Sequence, residues 1–339
     1  MPARKADAAP PGAARANSPE RIFGLFKTMC LIRAFEEAAH EAFVEGHAAG
    51  SIHQSIGQEA VSTGVCANLR PSDLIHSNHR GHGHAIAKGA DVTAMMKELY
   101  GKVGGTSGGK GGSMHIADFS VGMLGANGIL ADGVTMGVGA AQAITIKGED
   151  AIVGVFVGDG TTNRGPFYEG LNWAKVFHLP VLIICEDNQY ASSTMTKVVT
   201  AGGGPAERAR AFDIPAVTID GNDLNAVDQT AAELVARIRA GEGPQFLHAL
   251  TYRTKGHISR DPLAYRAAGE TEAQWKREPI ARCEAWLNAN GIAASETAAA
   301  RAEAEALIAA ARKAAHEAPD PDPAGAFTDV QDHGSPRHA

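Results

Sequence analysis

The chain has 339 residues, with 31 Lys and Arg against 38 Asp and Glu and a formal charge of −7. A chain of this length buries a sizeable core, as one large domain or two, and without a sustained basic stripe it lacks the electrostatic footprint of a nucleic-acid binder. No apolar run reaches the ~18–20 residues that a bilayer-spanning helix needs, so neither a membrane span nor a secretory signal is predicted and the expected location is cytoplasmic.

Residues 1–17 are Ala/Pro-rich with three basic side chains and read as a disordered tail. Ser18 followed by Pro19 is an N-cap with proline at the first helical position. They open a helix in which Ile22, Phe26, Met29, Phe35 and Phe43 fall near helical spacing, and Gly46 closes it. Short helices follow at 58–69 and at 91–100, the second capped by Asp91 and stopped by Gly101. Between 101 and 128 no helix or strand pattern is visible, and loops of that length inside a domain are usually functional.

Beyond a small-residue helix at 133–147 the pattern changes. AIVGVFV (151–157) and VLIICE (181–186) are continuously apolar runs flanking a helix at 166–178. That is how parallel strands covered on both faces read, and the order makes a βαβ crossover. PAVTID (215–220), a helix at 225–240 and QFLHALTY (245–252) repeat the unit. At least four strands therefore alternate with helices, which predicts a doubly wound, mostly parallel α/β sheet over residues 18–318. Residues 271–318 read as two Ala-rich helices broken at Asn290-Gly291, and 319–339 as an extended or disordered tail. The cysteines, Cys30, Cys66, Cys185 and Cys283, lack metal-ligand spacing and sit in apolar stretches, so all are expected buried and reduced.

Two compositional excesses need an account: 39 glycines, 13 of them between Gly101 and Gly139, and 14 histidines, four of them between His76 and His84. In an open parallel sheet, ligands bind at the carboxyl ends of strands. One strand of the central unit runs into Gly158-Asp159-Gly160-Thr161, the next into Glu186-Asp187-Asn188-Gln189-Tyr190. A crossover brings Asp159 and Asn188 side by side, and these hard oxygen ligands suit Mg²⁺, which commonly completes its shell with phosphates and water. Gly158 and Gly160 let backbone amides approach a phosphate. GDGTTN has Asn163 where a dinucleotide fingerprint needs a third glycine, and no P-loop occurs. Read alone, GDG is more often a plain strand-to-helix turn with Asp159 as a cap than a metal site.

Seven segments in one order make the resemblance specific: GSIHQSIGQEA (50–60), SNHRGHGHAIAKGAD (77–91), GKGGSMHIAD (109–118), GANGILADG (125–133), GDGTTNRGPFYEGLN (158–172), CEDNQYASST (185–194) and TYRTKGHISRDP (251–262). The chain resembles alpha subunits of the thiamine diphosphate-dependent 2-oxo acid and acetoin dehydrogenase complexes, and its motifs are most similar to the acetoin type. By that resemblance Asp159, Asn188 and the Tyr190 carbonyl hold Mg²⁺, and the Gly160 and Thr161 amides hold the diphosphate of thiamine diphosphate. It implies that His79 and Arg80 contact the phosphates, that Gly128 and Leu130 offer backbone groups to the aminopyrimidine, and that His257, His53 and His79 serve the reacting centre. It implies a small carbonyl substrate, acetoin or pyruvate, with a branched-chain 2-oxo acid as alternative. It also implies a beta subunit that supplies the activating carboxylate in an alpha2beta2 heterotetramer, with the 133–143 helix at the contacts, and a lipoyl-bearing acyltransferase as acyl acceptor. His79 stands where pyruvate enzymes carry tyrosine, Asp187 where asparagine is usual, and Ile258 where regulated relatives carry a phosphorylatable serine; the 104–112 run lacks a basic residue before its final Gly-Lys-Gly. Readings from other classes are a zinc hydrolase built on the 76–84 histidines, which Arg80 opposes by its charge, and a noncatalytic regulatory subunit. His82, His84, His115 and His178 are expected to be structural, and Glu59 to form a structural ion pair.

Overall fold

The two apolar runs of the central unit become adjacent parallel strands in a computed structural model that describes residues 17–327. The strands are β1 (Leu74–His76), β2 (Met123–Gly125), β3 (Val153–Gly158), β4 (Val181–Asp187), a short antiparallel pair β5 (Tyr190–Ala191) and β6 (Thr194–Met195), then β7 (Ala216–Asp220) and β8 (Gln245–Leu250). The main sheet has six strands in the order β2-β1-β3-β4-β8-β7, and every pairing in it is parallel.

The helices are α1 (Pro19–Val44), α2 (Glu59–Cys66), α3 (His82–Lys88), α4 (Val92–Leu99), α5 (Asp132–Lys147), α6 (Gly165–Val176), α7 (Pro205–Arg210), α8 (Leu224–Arg239), α9 (Glu270–Trp275), α10 (Pro279–Ala289) and α11 (Ala294–Glu317). Alternation along each strand divides them into two layers. Phe156, Leu182, Ile184 and Leu247 pack with α1, α2, α8, α10 and α11, while Val153, Val155, Val157, Val181, Ile183 and Phe246 pack with α5, α6 and α7. A sheet covered on both faces explains why these strands read as unbroken apolar runs. The Ser18 hydroxyl accepts from the Arg21 N–H, Gly46 takes a left-handed φ of 82° just past α1, and Asp91 caps α4.

Three expectations are corrected and one is extended. The sheet gains β1 and β2, whose three residues each are too short for a periodicity to register. Strand β2 and two 3-10 turns lie within the 101–128 stretch read as patternless. The helical region after 270 holds three helices rather than two, because Glu278-Pro279 starts a separately capped helix whose first amides donate to the Glu278 carboxylate. Within the expected C-terminal tail, Pro323–Phe327 forms a 3-10 turn and the Pro319 carbonyl accepts from Val103 at 3.1 Å. Residues 328–339 and most of the expected N-terminal tail, 1–16, lie outside the described residues.

The glycine-rich loop has its own organising centre. Fully buried Glu98 accepts backbone N–H groups from Ser107 (2.8 Å) and Gly109 (2.8 Å) on one carboxylate oxygen, and from Gly111 (2.7 Å) and Gly112 (3.0 Å) on the other. A Cβ on Gly105 would lie 2.4 Å from that carboxylate, so the wrap tolerates only glycine there.

Candidate active site

Strand order sets where the site forms. After β1 the chain leaves toward β2 on one side; after β3 it leaves toward β4 on the other, so a crevice opens between the carboxyl ends of β1 and β3. A cleft of about 310 Å³ occupies it, and its lining includes every residue to which the resemblance assigns a cofactor, metal or catalytic role.

Three walls come from strand ends. Beyond β1 the Asn78 side chain accepts the Arg80 N–H (2.8 Å), a turn that presents His79 and Arg80 ahead of α3. Beyond β3, residues Asp159–Asn163 form a 3-10 turn with Asp159, Gly160 and Thr161 on the cleft. The register pairs Gly158 with Glu186, so Asp159 leaves the sheet beside Asp187 and Asn188. The Asn188 amide is oriented by its partners: Nδ2 donates to Gln58 Oε1 (3.1 Å) and Oδ1 accepts the Tyr190 N–H (3.2 Å), leaving a lone pair on Oδ1. Asp159 Oδ1 accepts the Gly160 N–H (3.0 Å) and Oδ2 accepts the Thr196 hydroxyl. Burial and the neighbouring Asp187 carboxylate nonetheless push the Asp159 carboxyl up to about 6. A buried carboxylate beside a half-buried one favours a bound cation. A Cβ on Gly160 would lie 2.7 Å from the Ala191 Cβ. Gly128 and Leu130 form the exposed lip, with only Met114 Sδ near the Gly128 position, at 3.8 Å.

The remaining wall is cationic and aromatic. The rings of His53, His79 and His257 meet edge to face, with centroids 4.8, 4.9 and 5.7 Å apart. Burial, then the Arg80 charge, lowers all three: His53 to about 3, His257 to about 4, and His79 well below its ordinary value. They are neutral imidazoles at neutral pH, and the Nδ1 atoms of His53 and His79 are buried without a hydrogen-bond partner. Arg80 is buried and donates to the Gln54 carbonyl (2.7 Å), to His257 Nδ1 (3.0 Å) and to the His257 carbonyl (3.1 Å). Fully buried Arg253 donates to the Ser192 carbonyl and the Tyr265 hydroxyl, both at 2.8 Å. Neither guanidinium finds a carboxylate among these partners, so the wall favours an anion.

The 76–84 histidines do not assemble as a ligand set. Among the described residues the one group of three or more potential metal ligands is His53, His79 and His257. His82 is held between Glu36 (3.0 Å) and Ser113 (2.9 Å), His84 between Ser77 (2.7 Å) and Glu186 (3.2 Å). His115 and His178 bond to the Gly111 and Gly241 carbonyls. Glu59 pairs with Arg33 at 2.6 Å, as expected.

Sequence reasoning missed Gln58, Thr196 and Arg253. Gln58 and Arg253 lay within quoted motifs, but only their contacts, with Asn188 and with Ser192 and Tyr265, reveal a task; Thr196 reaches the site through a loop whose course no periodicity predicts.

The chain matches the dehydrogenase E1 component family over residues 27–324. It is similar to the alpha subunit of an acetoin:2,6-dichlorophenolindophenol oxidoreductase from Cupriavidus necator, 44% identical over 313 residues, 92% of this chain and 94% of that one. It is 45% identical to the subunit of the same name from Bacillus subtilis over 251 residues, 74% of this chain and 75% of that one. It is 36% identical to the pyruvate dehydrogenase E1 component subunit alpha of Rhizobium meliloti over 307 residues, 90% and 88% of the two chains. The extent of these matches, joined to a cleft at the predicted strand ends, shows that this chain belongs to the dehydrogenase E1 component family.

Proposed function

We propose that the chain is the alpha subunit of a thiamine diphosphate-dependent oxidoreductase that cleaves acetoin, with pyruvate decarboxylation as the second reading, and passes the acyl group to a lipoyl-bearing acyltransferase. The observation that carries this is the convergence of Asp159, Asn188 and the Tyr190 turn with Arg80 and three neutral histidines in one cleft. Acetoin is placed first because the relatives at 44% and 45% identity carry that name, and the pyruvate relative is at 36%.

The donor set fits Mg²⁺ and a diphosphate. The raised Asp159 carboxyl gains from a cation, the Asn188 amide is turned so that its oxygen has a lone pair to give, and the Tyr190 carbonyl adds a third hard oxygen. The Gly160 and Thr161 amides and Arg80 are suited to phosphate oxygens, Arg80 because a planar guanidinium donates in a fixed fork. When bound, thiamine diphosphate supplies a carbon nucleophile and an electron sink. The protein's own part is to orient and to move protons. His53 and His79 can take or give a proton at their unpartnered Nδ1 atoms, while Arg80 on His257 Nδ1 keeps that nitrogen an acceptor and directs the His257 proton to Nε2. Gly128 and Leu130 at the lip offer backbone groups to the aminopyrimidine ring, whose activating carboxylate comes from a beta chain in an alpha2beta2 assembly. The four free cysteines, all buried, accord with a reducing cytoplasm; no helix among the described residues is long and apolar enough to cross a membrane.

The test is co-expression with the cognate beta chain and dye reduction with acetoin, pyruvate and a branched-chain 2-oxo acid. Acetoin turnover requiring Mg²⁺, thiamine diphosphate and both chains is expected, and its loss in Asp159→Ala. Turnover that survives Asp159→Ala would overturn the catalytic reading.

A further inference from the structure

Arg80 is held from two directions, and both lead to one side chain outside the cleft. Its guanidinium donates to the Gln54 carbonyl at 2.7 Å, one residue before Ser55, and its backbone runs into the first turn of α3, where His82 lies two residues on. Glu36 of α1, fully buried and outside the cleft lining, grips both segments. Its Oε1 accepts the Ser55 N–H at 3.0 Å and the Ser55 hydroxyl at 2.8 Å, and its Oε2 faces His82 Nδ1 at 3.0 Å. The Glu36 carbonyl also accepts Gln54 Nε2 at 2.8 Å.

The His82 ring is fixed in turn. A carboxylate only accepts, so Nδ1 carries the proton that joins it to Glu36. Ser113 Oγ meets the other ring nitrogen, Nε2, at 2.9 Å, and Phe35 packs edge to face on the ring with centroids 5.3 Å apart. Against its complete burial, His82 and Ser55 hold the Glu36 carboxyl below its ordinary value. Arg80, by contrast, has only neutral acceptors: two carbonyls and the His257 imidazole. They leave its charge for an incoming anion but hold it less firmly than a carboxylate would. Burial, then Arg253, pulls Arg80 down to about 9, and Glu36 and Glu186 act against that fall. Glu36 therefore supports the Arg80 charge without neutralising it by contact, because its own oxygens are occupied.

We propose that Glu36 is a positioning residue for Arg80: by clamping Ser55 and His82 it fixes the Gln54 carbonyl and the start of α3, and so the direction in which the guanidinium meets a phosphate in the cleft. The inference rests on the reading of Arg80 as a diphosphate ligand given above. A tie that served only to join α1, α3 and the 54–55 segment would affect every property of the cleft alike. A positioning tie acts through Arg80 and falls silent when Arg80 is removed.

The experiment is a double-mutant cycle on the protein co-purified with its beta chain, with thiamine diphosphate affinity read by calorimetry at saturating Mg²⁺. Glu36→Asp withdraws the carboxylate by one methylene from both partners and should weaken binding roughly tenfold. Ser55→Ala removes one bond and leaves the buried charge paired with His82; it should weaken binding about threefold, and it carries the test if the first variant does not fold. Glu36→Gln keeps the reach, with Oε1 on Ser55 and Nε2 donating to the other tautomer of His82, and should recover most of the affinity lost in Glu36→Asp. In an Arg80→Gln background, Glu36→Asp and Ser55→Ala should each change affinity less than about twofold, because the group they position is gone. Weakening of equal size in both backgrounds, or none while Arg80 is present, overturns the proposal. Arg80→Gln that binds as tightly as wild type refutes the phosphate role of Arg80 on which the proposal rests, a failure told apart from the other two by the single variant alone.

Discussion

Asp159→Asn separates what the site costs the fold from what it does for the ligand. The wild-type carboxyl is raised from 3.8 to about 6 by burial and by Asp187. At ~1.36 kcal/mol per unit, ionised Asp159 destabilises the ligand-free protein by about 3 kcal/mol, or about 1.5–3 once part of the repulsion is assigned to Asp187. The sign is fixed by proton uptake. Because the folded pKa lies above the unfolded one, the folded chain binds the proton more tightly, and stability falls as pH rises from about 4 to about 6, then stays lower. An asparagine removes the charge and keeps the shape, and the Thr196 hydroxyl can rotate to accept from the new amide. The variant co-purified with its beta chain should therefore melt roughly 2–4 °C above wild type at pH 8 without ligand, and the advantage should shrink to about a third near pH 4.5 and vanish below about pH 3.5. Adding Mg²⁺ and thiamine diphosphate should raise the wild-type midpoint and leave the variant unmoved. A variant that melts lower than wild type at pH 8, or that still gains from Mg²⁺, would refute the reasoning.

Three further expectations follow from particular contacts. Gly160→Ala places a methyl 2.7 Å from Ala191 Cβ and should cost about 1–3 kcal/mol with weaker cofactor binding, partly restored by Ala191→Gly in the double variant; absence of rescue would mean that the clash is elsewhere. Glu98→Gln keeps one acceptor oxygen for four amides, and at ~1.5–3 kcal/mol for a bond to a charged group it should destabilise by about 3 kcal/mol or more. Hydrogen exchange should then accelerate at 107–112 before it does in β3 and β4. His53 and His257, depressed to about 3 and about 4, should show no imidazole titration by NMR above pH 5 in the ligand-free protein. Because the unfolded chain takes up those protons first, stability should fall as pH drops below ~6.5.

How much of this was legible in the chain depended on length and on locality. β3 and β4 announced themselves because runs of five or six consecutive apolar or glycine residues fill both faces of the sheet, and Asp159 and Asn188 followed from their place at the strand ends. β1 and β2, with three residues each, carry no periodicity, yet they create the crevice in which His79 and Arg80 meet Asp159. Roles set by a distant partner stayed hidden. Nothing near Gln58 in sequence points to Asn188, and nothing near Glu98 says that a run of glycines will wrap its carboxylate. The 76–84 histidines looked like a metal cluster because spacing along the chain was visible and the division of labour was not: His79 faces the cleft while His82 and His84 each tie two buried elements.

The cleft draws its lining from residues as far apart as His53 and His257, carried on seven separate stretches of chain. Contacts of such sequence separation form late, since loop closure must be paid before they reward the chain. Until the whole sheet is in register there is no half-built version of this cleft for a ligand to stabilise. Ligand binding therefore acts as a report of completed folding, and a nascent or damaged chain exposes two uncompensated guanidinium groups where the finished one presents a site.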